Sequence, residues 1–262
     1  ILFRNSPTET VKDYELQTVT FGVNCGSYLA NRMLLQLSDD SEAEYTIAAH
    51  ILRKCMYIDN VLTGTHDISI ALVAREQLIA ALASAKFQLR KWTSNERTIL
   101  KDLPLEHLVD AKLLTFVESS TSKTLGIQWN AQLDSFYFSV TPISSKSGYT
   151  KREVLSTIAK LFDPVGWLGP VIVVAKIIMQ KIWLDNINWD DILPSSTENE
   201  WNKFVTSYHE VNSIRIPRWV NYELETSVEV HVFSDASEKA YAGVFYIRIE
   251  TSSGEIYTHL LS

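Results

Sequence analysis

Cysteines, long apolar runs and spacings typical of metal sites are scarce in this sequence of 262 residues. The two cysteines, Cys25 and Cys55, belong to no metal-binding spacing, so neither a disulfide framework nor a zinc centre is expected. Reduced thiols of this kind are typical of an intracellular protein. The longest apolar stretch, residues 165–179, is interrupted by glycine, proline and lysine, and it falls short of the roughly 20 residues that a membrane span needs. No membrane partner is therefore expected.

Several other signatures are also missing. The six histidines form no His-x-x-x-His motif, and there is no Gly-x-Ser-x-Gly, phosphate loop or dinucleotide fingerprint. The N-terminus has no methionine and no signal-peptide layout, so we expect a protein that is not secreted and a chain that is a fragment of something longer.

The charge balance counts against free-standing nucleic-acid binding. The formal net charge is −7 and the pI is about 5.4, whereas phosphate contacts need a basic face. Local positive spots do exist at residues 90–91, at residues 151–152 and at Arg215 with Arg218. Two interpretations stay open: a basic groove on an acidic protein, or solvated charge pairs.

Hydrophobic periodicity predicts a mixed α and β protein. Residues 67–87 carry an apolar stripe at helical spacing, with Asp67 as N-cap. Thr150 and Glu153 form a capping box for a helix that ends near residue 162. Further predicted helices cover 27–37, 48–52, a stretch opened by Pro170, and 198–209 with Ser196 or Thr197 as cap. Predicted strands cover 14–23, 87–92, 125–129, 136–140, 228–233, 241–249 and 256–261.

One short hairpin is the most informative local pattern. Residues 55–64 place apolar, β-prone residues on both sides of Asp59-Asn60, which predicts two strands joined by a tight turn at that pair. Such a hairpin holds a carboxylate rigidly at its tip, as a magnesium site requires. The alternative is an ordinary surface hairpin.

Six segments along the chain stand in the order of a known family. They are Phe21-Gly22-Val23 with Tyr28-Leu29-Ala30-Asn31, Tyr57-Ile58-Asp59-Asn60, residues 87–95, Leu125-Gly126-Ile127-Gln128-Trp129-Asn130, residues 150–155 with Leu161-Phe162-Asp163-Pro164-Val165-Gly166, and Phe233-Ser234-Asp235-Ala236-Ser237. Together they resemble the reverse transcriptase region of Bel/Pao-type retrotransposon polyproteins, running into the start of ribonuclease H. A location in a cytoplasmic particle or the nucleus is implied.

The resemblance implies an α+β fold in three parts. Residues 1–145 would form a partial polymerase palm, an antiparallel sheet with helices that includes a primer-grip hairpin. Residues 146–222 would form a helical thumb or connection, and residues 223–262 the first strands of a truncated ribonuclease H-like domain. The implied function is RNA-directed DNA synthesis by two-metal nucleotidyl transfer. The implied cofactor is Mg²⁺ or Mn²⁺. The implied partners are an RNA template, a DNA primer, the RNA/DNA hybrid, deoxynucleoside triphosphates and the missing polyprotein segments.

The resemblance also assigns the candidate catalytic residues Asp59, Asn60 and Asp235. Asp59 would be a metal ligand for DNA synthesis, and Asp235 would be a metal ligand for ribonuclease H cleavage. Asn60 departs from the family, which usually has a second aspartate there, and an amide cannot neutralise metal charge. The family's earlier metal-bearing strand is absent, and the other ribonuclease H acids would lie beyond Ser262.

Substrate-binding roles follow from the same resemblance for six residues: Gly22, Tyr57, Lys91, Leu125, Gly126 and Trp129. The plainer alternatives are a turn glycine for Gly22, a surface residue for Lys91 and a core residue for Trp129. For the whole chain the rival hypothesis is a catalytically dead or domesticated fragment that acts, if at all, as a nucleic-acid- or protein-binding module.

Overall fold

The structure is a computed structural model that describes residues 1–20, 22–109, 121–124, 127–223 and 226–262. It divides into two compact units, Ile1–Thr115 and Phe116–Ser262. The predicted boundaries at residues 145/146 and 222/223 both lie inside the second unit. The mixture of helices with small antiparallel sheets is α+β, as predicted.

Three helices build the core of the first unit. Its elements are β1 (Leu2–Phe3), β2 (Lys12–Asp13), α1 (Gly26–Ser41), α2 (Thr46–Lys54), β3 (Met56–Tyr57), β4 (Asn60–Val61) and α3 (Ile68–Ser84), followed by 3₁₀ turns at Arg97–Ile99 and Leu105–His107. Leu34, Leu37, Leu52, Leu78 and Leu82 are among the buried core residues. Burial of such side chains contributes roughly 1.5–3 kcal/mol each.

Local capping chemistry sets the start of α3. The Asp67 carboxylate accepts hydrogen bonds from the backbone N–H groups of Ser69 and Ile70, which confirms the predicted N-cap. These bonds lower the pKa of Asp67, the largest effect being that of the Ser69 side chain. The predicted apolar stripe is wider than the buried face, because Ile70 and Val73 are exposed.

Two predicted strands of the first unit are wrong. Residues 14–20 form no strand, and Phe21 lies outside the described residues. Residues 87–92 are irregular apart from one isolated bridge, from Trp92 to Leu108. The physical reason is the backbone at Lys86 and Lys91, whose positive φ angles of 65° and 58° interrupt an extended run.

The second unit combines a four-stranded antiparallel sheet, three helices and a three-stranded antiparallel sheet. The first sheet has the order β5-β6-β7-β8 and the second the order β11-β10-β9. The strands are β5 (Thr121–Thr124), β6 (Ile127–Asn130), β7 (Ser135–Tyr137), β8 (Arg215–Pro217), β9 (Ser227–Ala236), β10 (Tyr241–Glu250) and β11 (Ile256–Leu260). The helices are α4 (Lys151–Ile158), α5 (Gly169–Leu184) and α6 (Ser195–Ser207), which a 3₁₀ turn at Tyr208–Ser213 extends.

The three helices enclose the core of the second unit. Its buried residues include Val154, Ile178, Ile182, Trp201 and Val205, and the indole of Trp201 is fully buried. The predicted capping box of α4 is confirmed in full. The helix ends at Ile158 rather than near residue 162, because the chain tightens into turns there.

The start of α6 differs from the prediction. The helix begins at Ser195 with Pro194 as N-cap and no side-chain cap. The hydroxyl of Thr197 instead donates to the Asp185 carboxylate at 2.9 Å. Pro217 ends the short edge strand β8 opposite Ser135. The ladder hydrogen bond there comes from the next residue, Arg218, to the Asp134 carbonyl, so the missing N–H of Pro217 costs no ladder bond.

An extended segment lies along α6 without regular structure of its own. This segment, residues 138–149, is called the strap. The side-chain amide of Asn212 accepts from the Val140 N–H at 2.7 Å and donates to the Val140 carbonyl at 2.9 Å. Tyr208 donates to the Thr141 carbonyl, and the Glu198 carboxylate accepts from the N–H groups of Gly148 and Tyr149. Side chains of α6 and its extension therefore take the place of a neighbouring strand.

Replacing Asn212 by alanine removes both hydrogen bonds to Val140. We expect the free energy of unfolding to fall by roughly 2 kcal/mol, about 1 kcal/mol for each neutral hydrogen bond. Urea denaturation of the full chain measures the change. The matched control is Asn199→Ala, an exposed asparagine of α6, which should change stability by less than about 0.5 kcal/mol. Equal effects of the two substitutions would show that the strap contributes nothing.

The strand β9 is exposed along all ten of its residues. Its apolar side chains include Val228, Val230 and Val232, and Val230 is 57% exposed. In the described part of the chain no strand pairs with its outer edge. Long apolar edges of this kind are open to fraying and to association with other strands.

Amide hydrogen exchange should therefore be faster across Val228–Ile249 than across α3, because β9 is exposed along its length and forms the edge of the terminal sheet. Exchange monitored by mass spectrometry on the monomeric full chain tests this, with both segments followed in the same sample. Equal protection would mean that the three-stranded unit is complete in itself.

Candidate functional site

The hairpin that carries Asp59 is shifted by one residue from the prediction. Met56 pairs with Val61 and Tyr57 with Asn60, so the two turn residues are Ile58 and Asp59. The predicted turn at Asp59-Asn60 is wrong because Asn60 belongs to β4. Ile58 has a φ of 56°, which is a rare conformation for a β-branched residue. Strain of this kind is often stored at functional sites.

The carboxylate of Asp59 stands at the tip of the hairpin. The Asn60 side-chain amide donates to its Oδ1 at 3.2 Å. Both residues are exposed, and Tyr57 beside them is 52% exposed. The base of the hairpin is closed by the Leu62 N–H, which donates to the Cys55 carbonyl at 2.9 Å. Asn60 therefore acts on the carboxylate as a neutral hydrogen-bond donor rather than as a second anionic ligand.

The described residues contain no group of three or more histidine, cysteine, aspartate or glutamate side chains that could hold a metal ion. Two-metal catalysis needs several carboxylates to balance the ionic charge. Among the described residues, Asp59 could therefore supply one ligand of such a site, and Asp235 could supply one ligand of a separate site.

Two other predicted residues of the first unit lie in turns. Gly22 has a φ of 83°, and a Cβ added there would meet nothing within 4 Å. Its conformation favours glycine, and the open space leaves its backbone accessible. Lys91 is exposed on irregular backbone. Among the described residues no hydrogen bond or ion pair joins Gly22 or Lys91 to the Asp59 turn.

The predicted primer-grip residues are only partly described. Leu125 and Gly126 lie outside the described residues. Trp129 is half-buried on β6 opposite Phe136, and its indole N–H donates to the Asp134 carboxylate at 3.0 Å. The guanidinium of Arg218 pairs with Asp134 and lies 5.9 Å from the Trp129 ring centroid. These contacts give Trp129 a packing role inside the sheet.

Asp235 lies near the end of β9, opposite Ala242. It is exposed, and its Oδ1 accepts from the Ala236 N–H at 2.9 Å. The other charged groups on its face of the sheet are already paired. Arg248 contacts the carboxylates of Glu229 at 3.6 Å and Glu250 at 2.8 Å.

One of the positive spots singled out in the sequence, residues 151–152, makes contacts within the protein. Lys151 is only 4% exposed, and its ammonium lies 3.3 Å from the Trp183 ring centroid. Arg152 forms a two-bond pair with Asp190, which raises the pKa of Arg152 and lowers that of Asp190. Lys151 is therefore buried away from a phosphate ligand, and Arg152 is held in an exposed pair with Asp190, as the alternative interpretation of solvated charge pairs describes. No local sequence pattern indicated these partners, which lie more than 30 residues away.

Comparison with known proteins gives a match to the later part of the chain. Residues 150–262 match the family model described as the Pao retrotransposon-like RNaseH-like domain. The match starts at Thr150, the N-cap of α4, and covers α4 to α6 together with the terminal sheet. It supports a Bel/Pao retrotransposon with a ribonuclease H region. No curated protein and no solved structure matches the chain.

None of the described helices is both long and apolar enough to cross a bilayer.

Changing Asn60 to aspartate should tighten binding of Mn²⁺, because it places a second carboxylate next to Asp59. We expect roughly tenfold higher affinity, equivalent to about 1.4 kcal/mol. Electron paramagnetic resonance of free Mn²⁺ during titration measures it. Asn31→Asp, which adds the same charge on exposed α1, is the control. An equal gain in both variants, or none at Asn60, would mean that the asparagine does not limit the site.

Proposed function

We propose that the chain is part of a retroelement RNA-directed DNA polymerase that runs into the beginning of a ribonuclease H. The observation that carries the proposal is the Pao family match over residues 150–262, with the exposed Asp235 inside it. The in-order resemblance of the earlier segments adds the polymerase to the proposal. Its localisation would be a cytoplasmic particle or the nucleus.

In this proposal Asp59 is a ligand for Mg²⁺ or Mn²⁺ in nucleotidyl transfer. The metal ions would supply activation of the primer hydroxyl and neutralisation of the phosphate charge. The chain's own contribution is to hold the Asp59 carboxylate on a tight turn beside the exposed phenol of Tyr57. The strained backbone at Ile58 supports a functional role for that turn. Gly22 would contact the template or the incoming base, and Lys91 would contact the triphosphate. Trp129, packed in its sheet, would help to hold the primer end by shape.

Asp235 would be the first acid of a ribonuclease H site that cleaves the RNA of an RNA/DNA hybrid. One carboxylate cannot hold a pair of metal ions, and in this proposal other segments of the polyprotein supply the further acids. The exposure of Asp235 supports this role, because among the described residues its carboxylate makes no ion pair and accepts only from the adjacent Ala236 N–H.

A second candidate function is a catalytically dead or domesticated binding module. Asn60 in place of an aspartate favours it, and so does the lack of an acidic cluster among the described residues. The two candidates differ in what the polyprotein as a whole can do, and an assay in that context separates them.

The isolated chain should not extend a primer, because a lone carboxylate at Asp59 cannot organise two metal ions. A primer-extension assay on an RNA template with Mg²⁺ or Mn²⁺ measures this, with an active reverse transcriptase as positive control. Template-dependent extension that disappears in Asp59→Ala would contradict the expectation.

The proposal itself is tested in the longer parent polyprotein. Asp235→Asn should abolish cleavage of a labelled hybrid and leave DNA synthesis intact, and Asp59→Asn should do the reverse. If neither activity is present in the unaltered polyprotein, the binding-module alternative stands.

A further inference from the structure

A cavity of about 120 Å³ lies between the sheet and the turn that follows α4. We call it the Trp167 pocket and define it by Gln128, Phe138, Lys160, Phe162 and Trp167. Its walls come from β6, from the start of the strap and from residues 160–168. It has room for several water molecules or for one aromatic ring.

The aromatic wall of the Trp167 pocket is rigid. The Trp167 ring packs at 5.2 Å from the Phe136 centroid and edge-on at 6.5 Å from that of Phe138. Its indole N–H donates to the Leu261 carbonyl at 3.0 Å, which fixes the ring orientation. Phe162 also lines the pocket and is 55% exposed. A flat ligand would therefore meet a preformed apolar surface together with an accessible ring.

Two polar side chains of the pocket are free to bind. Within the described residues, neither the Gln128 amide nor the Lys160 ammonium makes a side-chain hydrogen bond or ion pair. The nearby Asp163 carboxylate is occupied, because its two oxygens accept from the backbone N–H groups of Gly166 at 3.0 Å and Leu168 at 2.7 Å. Asp163 keeps its negative charge, and Lys160 is the cation that the pocket offers to a ligand.

We propose that the Trp167 pocket binds one unstacked base of single-stranded nucleic acid. Aromatic side chains take up bases by stacking, and an amide offers both a donor and an acceptor to a base edge. Lys160 then contacts an adjacent phosphate. An aromatic side chain of a protein partner would fill the cavity but use neither Gln128 nor Lys160. The proposal rests on the proposed function only for the choice of nucleic acid as ligand class.

The test is fluorescence anisotropy of the full chain with a short labelled single-stranded oligodeoxynucleotide at fixed salt. Phe162→Ala should weaken binding roughly five- to 150-fold, the range for loss of one stacked base. Lys160→Gln should weaken binding and lower the salt slope by about one. The matched control Lys203→Gln removes an exposed lysine of α6 and should leave affinity unchanged.

An abasic oligonucleotide of the same length separates base binding from phosphate binding. The unaltered chain should bind it about as weakly as Phe162→Ala binds the normal oligonucleotide, and Phe162→Ala should cause no further loss. The proposal is overturned if the abasic oligonucleotide binds as tightly as the normal one, if Phe162→Ala binds normally, or if the unaltered chain binds no oligonucleotide. Thermal unfolding verifies that each variant is folded.

The pocket and the proposed function can fail separately. If Phe162→Ala binds normally while the Asp235→Asn polyprotein loses hybrid cleavage, only the proposal for the Trp167 pocket is rejected. Pocket-dependent binding without any hybrid cleavage by the polyprotein would remove the nuclease assignment alone.

Discussion

The second unit depends on one constraint: the backbone N–H and carbonyl groups of the strap need hydrogen-bond partners, although no strand lies beside it. Extended backbone at a protein surface is costly when its N–H and carbonyl groups are buried unpaired. Asn212 meets this need at Val140 with both of its amide groups, and Glu198 does so at Gly148 and Tyr149. Beside them β7 pairs with β8, so residues 135–149 run antiparallel to residues 198–217 over their whole length. This pairing ties the sheet to the helices that the Pao family model covers.

That arrangement explains which parts of the fold could be predicted. Features that depend on residues close in sequence were predicted correctly. They are the capping box at Thr150, the N-cap at Asp67 and the three terminal strands. The strap and β8 depend on partners about 70 residues apart, such as Val140 and Asn212, and no local pattern records such a pairing. The strand predicted at residues 87–92 fails for a related reason, since alternation of side chains carries no information about a positive φ at Lys91.

The candidate site shows the same division. The resemblance located Asp59 and Asp235 at exposed positions on strand or turn, which is where a ligand carboxylate has to be. It could not give the register of the hairpin, and a shift of one residue moves Asn60 from the turn into β4. The availability of the positive charges was harder still to predict. The sequence shows Lys151, Arg152 and Arg218, but it does not show the tryptophan and the carboxylates that pair with them.

These internal uses of positive charge narrow how an acidic chain can approach nucleic acid. With Lys151 buried against Trp183 and Arg218 paired to Asp134, two of the positive charges that the sequence displays are engaged within the second unit. In our proposal, affinity for nucleic acid therefore comes from contacts that need little net charge. Stacking on aromatic side chains is such a contact, because every base has a π face whatever the charge of the protein. Trp167 is held for that role by Leu261, next to the terminal sheet, so the residues that order the fold also shape the pocket.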